Sequence, residues 1–590
     1  MNPVCRHMKH VFVFSVMLAA CATGAAAAAA AAGTDGQDVY DRDGQWNRAM
    51  TFVRDFAASH VDKFDANGKW IADGFGPWRG LEQSAYVAPF FELGTPASVA
   101  LANAIIEHQD CHTLDLAHAL VFYHDRMTPA AIARAEKLVK HDVDVTYQEF
   151  RWTHFQGDND NFQFHAAATV AMWGVHTRDR KYIADATRRL EDFKAVMLRR
   201  GFASEYNSPS YLPLHLHPLA QIVEAVDDPT LKQLARDIET RTWLDLLCHY
   251  HAPSGAQCGP WAREYFFDVL GSGFTRLNLY LLLGDKLPGD WKEQFKSESV
   301  EHGLVRGANR SCVRYHCPAW LAEWAIHRKY PFQSVGTAEG SASFMTLVPD
   351  RAGRLWHWNW KDTAAKDANL YTTPAWHTRI VQYQTADYAM GTTTRPFNDG
   401  FGDFRFTVTL PVTKPLTATH DIVRVMSRYI LDEQQPGLDW QGDKPAYCTE
   451  PIAFAEAGRS IALQHERTAM VLYRPHVILK HKPTSLKTAV FWPKSDFGKG
   501  RPRADEIYIG QRKLNGFTGE ANEPTPVFFR IADTYMAYIP LINNEAVGAK
   551  LARQATVKVE PMGKMLGVAF YNFQGDPVEL NARQYCLMGG

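Results

Sequence analysis

Three short stretches of the chain combine polar side chains that can remove, return or stabilise a proton. They lie at 157–165, 205–215 and 258–265, and each is rich in residue types that a hydrophobic core would not select. The catalytic candidates are Asn161, His165, Tyr211, His215, Arg263 and Tyr265, and the substrate-binding candidates are Asp158, Asp160, Glu205, Asn207, Trp261 and His377.

These residue types suit β-elimination across a uronic acid. The proton beside the sugar carboxylate is a weak acid, so Asn, Arg or protonated His must neutralise the carboxylate while the enolate-like state forms. A tyrosinate or a neutral histidine then removes the proton, and a tyrosine hydroxyl can return one to the leaving oxygen. Because tyrosine ionises at about pH 10, a neighbouring Arg and His would be needed to lower its pKa.

The spacing of these residues indicates how helices would present them. Asn161 and His165 are four residues apart, so they share one face of a predicted helix. Tyr211 and His215 have the same spacing, and Pro209 places Tyr211 in a loop or a first helical turn. The Gly-Pro pair at 259–260 predicts a turn directly before Arg263 and Tyr265.

The two halves of the chain differ in hydrophobic periodicity. From about residue 46 to 330, apolar residues recur every three or four positions, which predicts amphipathic helices at 129–143, 161–175, 182–199 and 216–225. Short turn-rich connections between them favour helical hairpins. After about residue 331, short alternating runs predict strands at 378–384, 404–410, 476–481, 489–492, 527–531, 535–542 and 566–573. Helices followed by strands predict an α+β multidomain chain ending in an antiparallel β-sandwich.

This architecture, with an Asn/His helix, a Ser-Pro-Ser-Tyr segment and a nearby His, resembles the heparinase II/III-like and chondroitin AC-type polysaccharide lyases. The resemblance implies an N-terminal (α/α) toroid at 33–330, a C-terminal antiparallel β-sandwich at 331–590, and an acidic polysaccharide or oligosaccharide as substrate. It also implies groove positions for Asn161 and His165, an acid or base role for Tyr211 and charge neutralisation by Arg263. Asn161 and His165 are separated here, whereas the heparinase-like lyases commonly carry an Asn-His dipeptide.

Two other functions remain open from the sequence. A glycoside hydrolase on the same helical toroid would use paired carboxylates, for which Asp158, Asp160 and Glu205 are available. A noncatalytic glycan-binding lipoprotein would explain the aromatic content but not the Asn/His/Tyr/Arg grouping. No cofactor is predicted: histidines at 215 and 217, or 249 and 251, could bind zinc, but alternating positions on a helix point apart, so a structural divalent ion is only an alternative.

Composition excludes some partners. The chain has 590 residues, with 63 Lys and Arg against 64 Asp and Glu, a net charge of −1. A near-neutral chain of this kind does not indicate a nucleic-acid partner. Any polyanion would have to meet a local basic cluster.

The N-terminus predicts export. Basic residues precede an apolar stretch at 11–20 that is too short to cross a bilayer, and small residues follow, which is typical of a secretory signal over 1–32. Leu18 to Cys21 resembles a lipobox, which would lipidate Cys21 and place the protein in the periplasm or at the outer membrane. Cleavage inside the alanine run at 25–32 is the alternative.

An exported chain can form disulfides. Seven cysteines lie beyond Cys21, and the pairs Cys248 with Cys258 and Cys312 with Cys317 are close enough in sequence to close small loops. Spacing alone does not give the connectivity.

Overall fold

A computed structural model describes most of the chain from residue 42 onward. Up to residue 340 the described ranges are 42–72, 80–153, 155, 160–262, 273–289 and 300–340. Beyond it they are 343–348, 357–358, 369–373, 376–394, 406–414, 416, 421–431, 433, 458–475, 484–493, 504–541, 556–562, 565–577 and 586–587. The predicted signal at 1–32 with Cys21, the strand predicted at 476–481, and the candidates Asp158, Arg263 and Tyr265 lie outside these ranges.

The N-terminal part consists of helices joined by short turns. The α-helices are α1 (Arg42–Ala58), α2 (Val87–Leu93), α3 (Pro96–His108), α4 (Thr113–Phe122), α5 (Pro129–Asp144), α6 (Phe150–Thr153), α7 (Asp160–Thr177), α8 (Arg180–Arg200), α9 (Leu212–Ala225), α10 (Pro229–His249), α11 (Gly273–Leu283), α12 (Val300–Arg310) and α13 (Ala319–Ile326). The four helices predicted from periodicity are confirmed as α5, α7, α8 and α9.

Local sequence explains where several helices begin. Thr95, Thr128 and Asp228 each precede a proline, and each side chain accepts a hydrogen bond from a backbone N–H of the first turn of α3, α5 or α10. The cap satisfies a donor that the helix leaves unpaired, and proline fits the first helical position because it has no N–H to satisfy.

Six helices form a closed inner ring. Helix α2 contacts α4, α4 contacts α7, α7 contacts α9, α9 contacts α11, α11 contacts α12, and α12 returns to α2. Helices α1, α3, α5, α8 and α10 flank this ring. The inner helix α7 is buried along most of its length, whereas its neighbour α8 buries only one side. The predicted (α/α) toroid is therefore confirmed.

The C-terminal part is made of antiparallel strands. Two short strands, β1 (Tyr250–His251) and β2 (Ala256–Gln257), form a hairpin after α10. The others are β3 (Phe332–Gly340), β4 (Ser343–Val348), β5 (His357–Trp358), β6 (Asn369–Thr373), β7 (Trp376–Gln384), β8 (Ala389–Thr393), β9 (Phe406–Pro411), β10 (Ile422–Leu431), β11 (Gly458–His465), β12 (Thr468–Pro475), β13 (Ser485–Pro493), β14 (Glu506–Ile509), β15 (Arg512–Lys513), β16 (Gly519–Ala521), β17 (Val527–Ile531), β18 (Thr534–Tyr538), β19 (Thr556–Met562), β20 (Met565–Gln574) and β21 (Cys586–Leu587).

A nine-stranded sheet, ordered β16-β19-β20-β13-β10-β9-β8-β7-β3, is the centre of this part. Its two faces are both buried, as alternation along β13 shows: Leu486, Val490 and Trp492 belong to one core, and Ala489 and Phe491 to another. The first core also contains side chains of the smaller sheets β11-β12-β21 and β15-β14-β17-β18. Two sheets packed face to face confirm the predicted β-sandwich.

The second face of the nine-stranded sheet packs against the helical part. Arg328, buried after α13, donates to the carbonyl oxygens of Leu247 at 2.5 Å, Cys248 at 3.2 Å and Tyr250 at 2.9 Å, and to the Gln384 side-chain oxygen at 2.8 Å. One guanidinium thus ties the end of α10 to strand β7.

The same junction brings two backbones into direct contact. A Cβ atom on Gly391 of β8 would lie 2.1 Å from the carbonyl oxygen of Gly259. Only glycine fits there, since no rotation of a side chain can relieve a clash with backbone. The helical part and the sheet therefore meet without an intervening layer. The predicted domain boundary at 330 and 331 stays a prediction.

The predicted short disulfide loops are not formed. Cys248, Cys258, Cys312 and Cys317 are free thiols. Burial raises the pKa of both Cys248 and Cys258 to about 11, which keeps the two thiols protonated. Among the described helices, none is both long and apolar enough for a membrane span.

We expect Arg328→Met to lower the free energy of unfolding by about 2–4 kcal/mol, because it leaves several buried carbonyl groups without a donor. Arg188→Met is the control: Arg188 is exposed on α8 and pairs with Asp185 at 2.7 Å, a surface contact whose loss costs less than about 1 kcal/mol. Denaturant unfolding followed by circular dichroism measures both. Equal losses in the two variants would contradict a tie between α10 and β7.

Candidate active site

The first two polar stretches meet at the start of α7. Asp160 is fully buried, and its Oδ2 accepts hydrogen bonds from the backbone N–H of Ser204 at 2.8 Å and from the Ser204 hydroxyl at 2.7 Å. The Arg200 guanidinium lies 4.0 Å from the same oxygen. Asp160 therefore fixes the segment after α8 against α7, and its side chain has no exposed surface with which to contact a substrate.

Glu205 is the centre of this junction. Its carboxylate is fully buried; Oε2 accepts from the Asn161 backbone N–H at 3.0 Å and lies 2.8 Å from His215 Nε2. The Asn161 side-chain amide, turned with its nitrogen toward the carboxylate, donates to the two oxygens at 3.2 and 3.1 Å. A negative charge at the N-terminus of a helix is also favoured by the helix dipole. One carboxylate thus orients two catalytic candidates.

Asn207 connects the second stretch to the third. It adopts a left-handed conformation with φ 46°, and its backbone N–H donates to Asp245 at 2.9 Å. Its amide donates to the carbonyl oxygens of Cys258 and Pro260, each at 2.7 Å, and Gln257 donates to its side-chain oxygen at 2.6 Å. These contacts use both the nitrogen and the oxygen of the buried amide, so Asn207 holds its own segment against the loop at 257–260.

Trp261 lies between the helical part and the sheet. Its ring is fully buried and shares a core with Met426, Phe491 and Ala569 of the nine-stranded sheet. The guanidinium of Arg424 lies 5.9 Å from its ring centroid. The substrate-binding role predicted for Trp261 is not compatible with this burial, since a stacking platform needs an exposed ring face.

The accessible members of the site are His165 and Tyr211, which are both half-buried. His165 lies one helical turn after Asn161 on α7, and Tyr211 is the residue that precedes α9. Burial, followed by the charges of His112 and Arg310, lowers the pKa of His165 to about 3, so its ring is neutral at neutral pH. A neutral ring has the lone pair that a general base needs, and a base with so low a pKa acts on a proton that the site has already made more acidic.

The ring interior holds a further polar cluster that the sequence did not reveal. His118 of α4 and His217 of α9 are buried, and Arg306 and Arg310 of α12 lie close enough to affect the pKa of His165 and His217. The sequence signals were the pair of histidines at 215 and 217, interpreted above as a zinc alternative, and the spacing of Arg306 and Arg310, four residues apart on an amphipathic helix.

These histidines are neutral in the folded protein. Burial lowers the pKa of His118 to about 4, against a smaller opposite effect of Asp115. Burial also lowers the pKa of His217 well below its usual range, and the charges of His118, Arg310, His165 and Arg306 act in the same direction. Both oxygens of the Asp115 carboxylate already accept hydrogen bonds, one from Ser84 at 2.6 Å and one from Asn309 at 2.9 Å.

The remaining candidates are not brought to this junction by any contact seen among the described residues. His377 is exposed on β7, opposite Glu339 of β3 in the sheet register. The histidine pair at 249 and 251 serves the scaffold: His249 contacts the Asp245 carbonyl oxygen at 2.7 Å, and His251 contacts that of Thr385 at 2.8 Å. Within the described ranges no group of three or more His, Cys, Asp or Glu residues is arranged to hold a metal ion.

The chain was compared with protein families, with curated proteins and with solved structures. The family described as "Domain of unknown function (DUF8769)" matches residues 141–288, which include all three polar stretches. Among curated proteins no match was found. A chondroitin AC lyase mutant from Streptomyces coelicolor A3 is 11% identical, with 94% of this chain and 81% of that chain covered and a TM-score of 0.38.

Two further solved structures were found to be similar. The same Streptomyces enzyme in complex with chondroitin sulphate is 10% identical, with 94% of this chain and 98% of that chain covered and a TM-score of 0.30. Heparinase III is 7% identical, with 90% of this chain and 85% of that chain covered and a TM-score of 0.35. At these TM-scores the superposition is loose, so functional roles depend on this chain's own side chains.

We expect the free energy of unfolding to fall with pH below about pH 6.5, because unfolded histidines bind protons there while His118, His165 and His217 remain neutral in the folded ring. Each of these histidines contributes up to about 1.4 kcal/mol per pH unit to the loss of unfolding free energy, until the pH reaches its pKa in the folded protein. His118→Gln should therefore reduce the slope between about pH 6 and about pH 4.5. His141→Gln, on the exposed side of α5, is the matched control, and an equal change in slope would contradict the assignment to the ring.

Proposed function

We propose that this protein is a polysaccharide lyase that cleaves a glycan containing uronic acid by β-elimination. The observation that supports this proposal is the meeting of the three polar stretches. Asp160 bonds to Ser204, Glu205 bonds to Asn161 and His215, and Asn207 bonds to the loop at 258–260. These contacts join the first turn of α7, which carries His165 one turn later, to the segment before α9, which ends at Tyr211.

The elimination divides among these side chains as follows. A neutral His165 removes the proton beside the uronate carboxylate, and the Tyr211 hydroxyl returns a proton to the leaving glycosidic oxygen. Positive side chains neutralise the carboxylate while negative charge develops on it. Asn161 does not have this last role in our proposal, because its backbone and side-chain donors face Glu205.

Burial argues against the hydrolase alternative. A glycoside hydrolase needs two carboxyl groups that reach the scissile bond, one to protonate the leaving oxygen and one to act on water or on the sugar. Asp160 and Glu205 are both 0% exposed and are held by groups of the chain itself. Their arrangement serves to orient other residues.

Incubation with a panel of uronate polysaccharides tests the reaction class. Elimination leaves an unsaturated uronate that absorbs ultraviolet light, so absorbance and new reducing ends should rise together. Tyr211→Phe should lower turnover by about 10²–10⁴-fold, the usual contribution of a positioned acid or base. Tyr535→Phe, at a side chain 80% exposed on β18, is the control.

Two results would contradict this function. Reducing ends without absorbance would indicate hydrolysis. Full turnover by a folded Tyr211→Phe variant would remove Tyr211 from the mechanism, and its circular dichroism spectrum establishes that the fold is intact.

We also propose that the protein is exported and anchored by a lipid on Cys21. Fatty-acid labelling of the full chain in a bacterial host should mark the wild type, because a lipobox cysteine is acylated before the signal is removed. Cys21→Ser should abolish the label, and Cys5→Ser is the matched control. An unlabelled wild type would be evidence for ordinary signal cleavage, and a labelled Cys21→Ser variant would show that the lipid is attached to another residue.

A further inference from the structure

The interior of the helical ring contains a set of polar side chains from four different inner helices. His118 comes from α4, His165 from α7, His217 from α9, and Arg306 and Arg310 from α12. Arg306 and Arg310 both affect the pKa of His165 and His217, and His118 and His165 affect that of His217, so the five side chains lie near one another inside the ring. Interiors of this kind are normally apolar, so the cluster requires an explanation beyond packing.

Three imidazole nitrogens of this cluster have no protein partner among the described residues. They are the Nε2 atoms of His118, His165 and His217, and each is inaccessible to solvent. His118 and His217 are 2% and 4% exposed. His118 is held through its other nitrogen, which lies 3.1 Å from Gln221 Nε2. A buried polar nitrogen left unmatched costs about 1–3 kcal/mol, so such atoms usually indicate a ligand or a functional role.

The charge around these nitrogens is positive. Beside the burial that acts first, Arg306 and Arg310 both lower the pKa of His165 and His217, whereas Asp115 is the one acid that opposes them at His165. Glu82 lies 3.8 Å from the Arg306 guanidinium and partly balances it. His112, at the start of α4, adds its Nε2 at 3.2 Å from Arg306. Neutral imidazole N–H groups beside two guanidinium groups form a donor-rich environment that favours an anion.

The shape of the ring restricts how a polysaccharide can reach this cluster. The inner helices close on themselves, and α4 also contacts α9 directly, which narrows the interior between them. The half-buried His165 and the Arg306 side chain, which is 19% exposed, are the accessible members. A ligand that reaches His118 and His217 must therefore enter with one end first.

We propose that, within this ring cluster, His118, His217, Arg306 and Arg310 bind the carboxylate of a uronate at the end of a polysaccharide chain, which leaves His165 to act as the base. The protein then removes sugar residues from chain ends. This inference rests on the proposed function for the identity of the sugar acid, and it supplies the positive groups that Asn161 does not provide.

Binding of glucuronate, compared with glucose, tests the cluster without requiring turnover. We expect glucuronate, measured by calorimetry with the full chain, to bind at least tenfold more tightly than glucose, because only glucuronate carries the carboxylate. Arg310→Gln should weaken the binding of glucuronate at least tenfold. Arg314→Gln is the matched control, since its guanidinium lies 4.9 Å from the ring of Trp46 on α1 and Arg314 is not part of the cluster. If Arg310→Gln does not fold, Arg306→Gln takes its place.

Three results would overturn the inference. They are equal affinity for glucuronate and glucose, inorganic sulfate binding to the cluster as tightly as glucuronate, and unchanged glucuronate affinity in the arginine variants. If elimination is detected, a rapid fall in polymer viscosity would also overturn chain-end action, which should release small products at nearly constant viscosity. Because glucuronate binding needs no catalysis, tight binding without ultraviolet absorbance would refute the lyase reaction and support the ring cluster.

Discussion

The buried carboxylate of Glu205 is the interaction on which the candidate site depends. A carboxyl group without solvent is stable only when hydrogen-bond partners surround it, and here they come from Asn161 at the start of α7 and from His215 of α9. The geometry of two ring helices and of the loop between α8 and α9 is thereby coupled. Movement of any one of them would leave the carboxylate without a hydrogen-bond partner. The helices that carry His165 and follow Tyr211 are therefore held in place.

The sheet completes this arrangement from the other side. Its second face buries Trp261, and Arg328 and the contact between Gly391 and Gly259 hold it against the end of α10 and the loop that follows. The loop at 258–260 in turn receives Asn207. The β-sandwich therefore contributes to the site indirectly, by fixing the loops that support its helices.

Much of the fold was predictable from sequence because its signals are local. The periodicity around α5, α7 and α8 and the alternation in β17 and β20 depend on neighbours within one element, and the three polar stretches were recognisable by residue type. The roles within the site were less predictable. Sequence cannot distinguish a carboxylate that faces a substrate from one that is buried, as Glu205 is, and the partners of His118 and Arg310 lie on other helices.

The burial of Trp261 has the same cause. An aromatic residue beside a Gly-Pro turn resembles a sugar platform, but its environment depends on a strand face more than 160 residues later in the chain. The free thiols of Cys248 and Cys258 likewise reflect their positions at this packed junction rather than their spacing.

Closure of the ring also determines the order in which the protein can mature. Helix α1 packs against α11 and α12, and α12 against α2, so these contacts join residues 42–93 to residues 273–310. Such long-range contacts form slowly, because a long loop must lose its conformational entropy before they can stabilise it. The region around Glu205 precedes the segment carrying Arg306 and Arg310 by about a hundred residues, so it can assemble before the ring closes. Until that later segment docks, the ring is open, and the apolar residues that pack between its helices are exposed to aggregation and to chaperones.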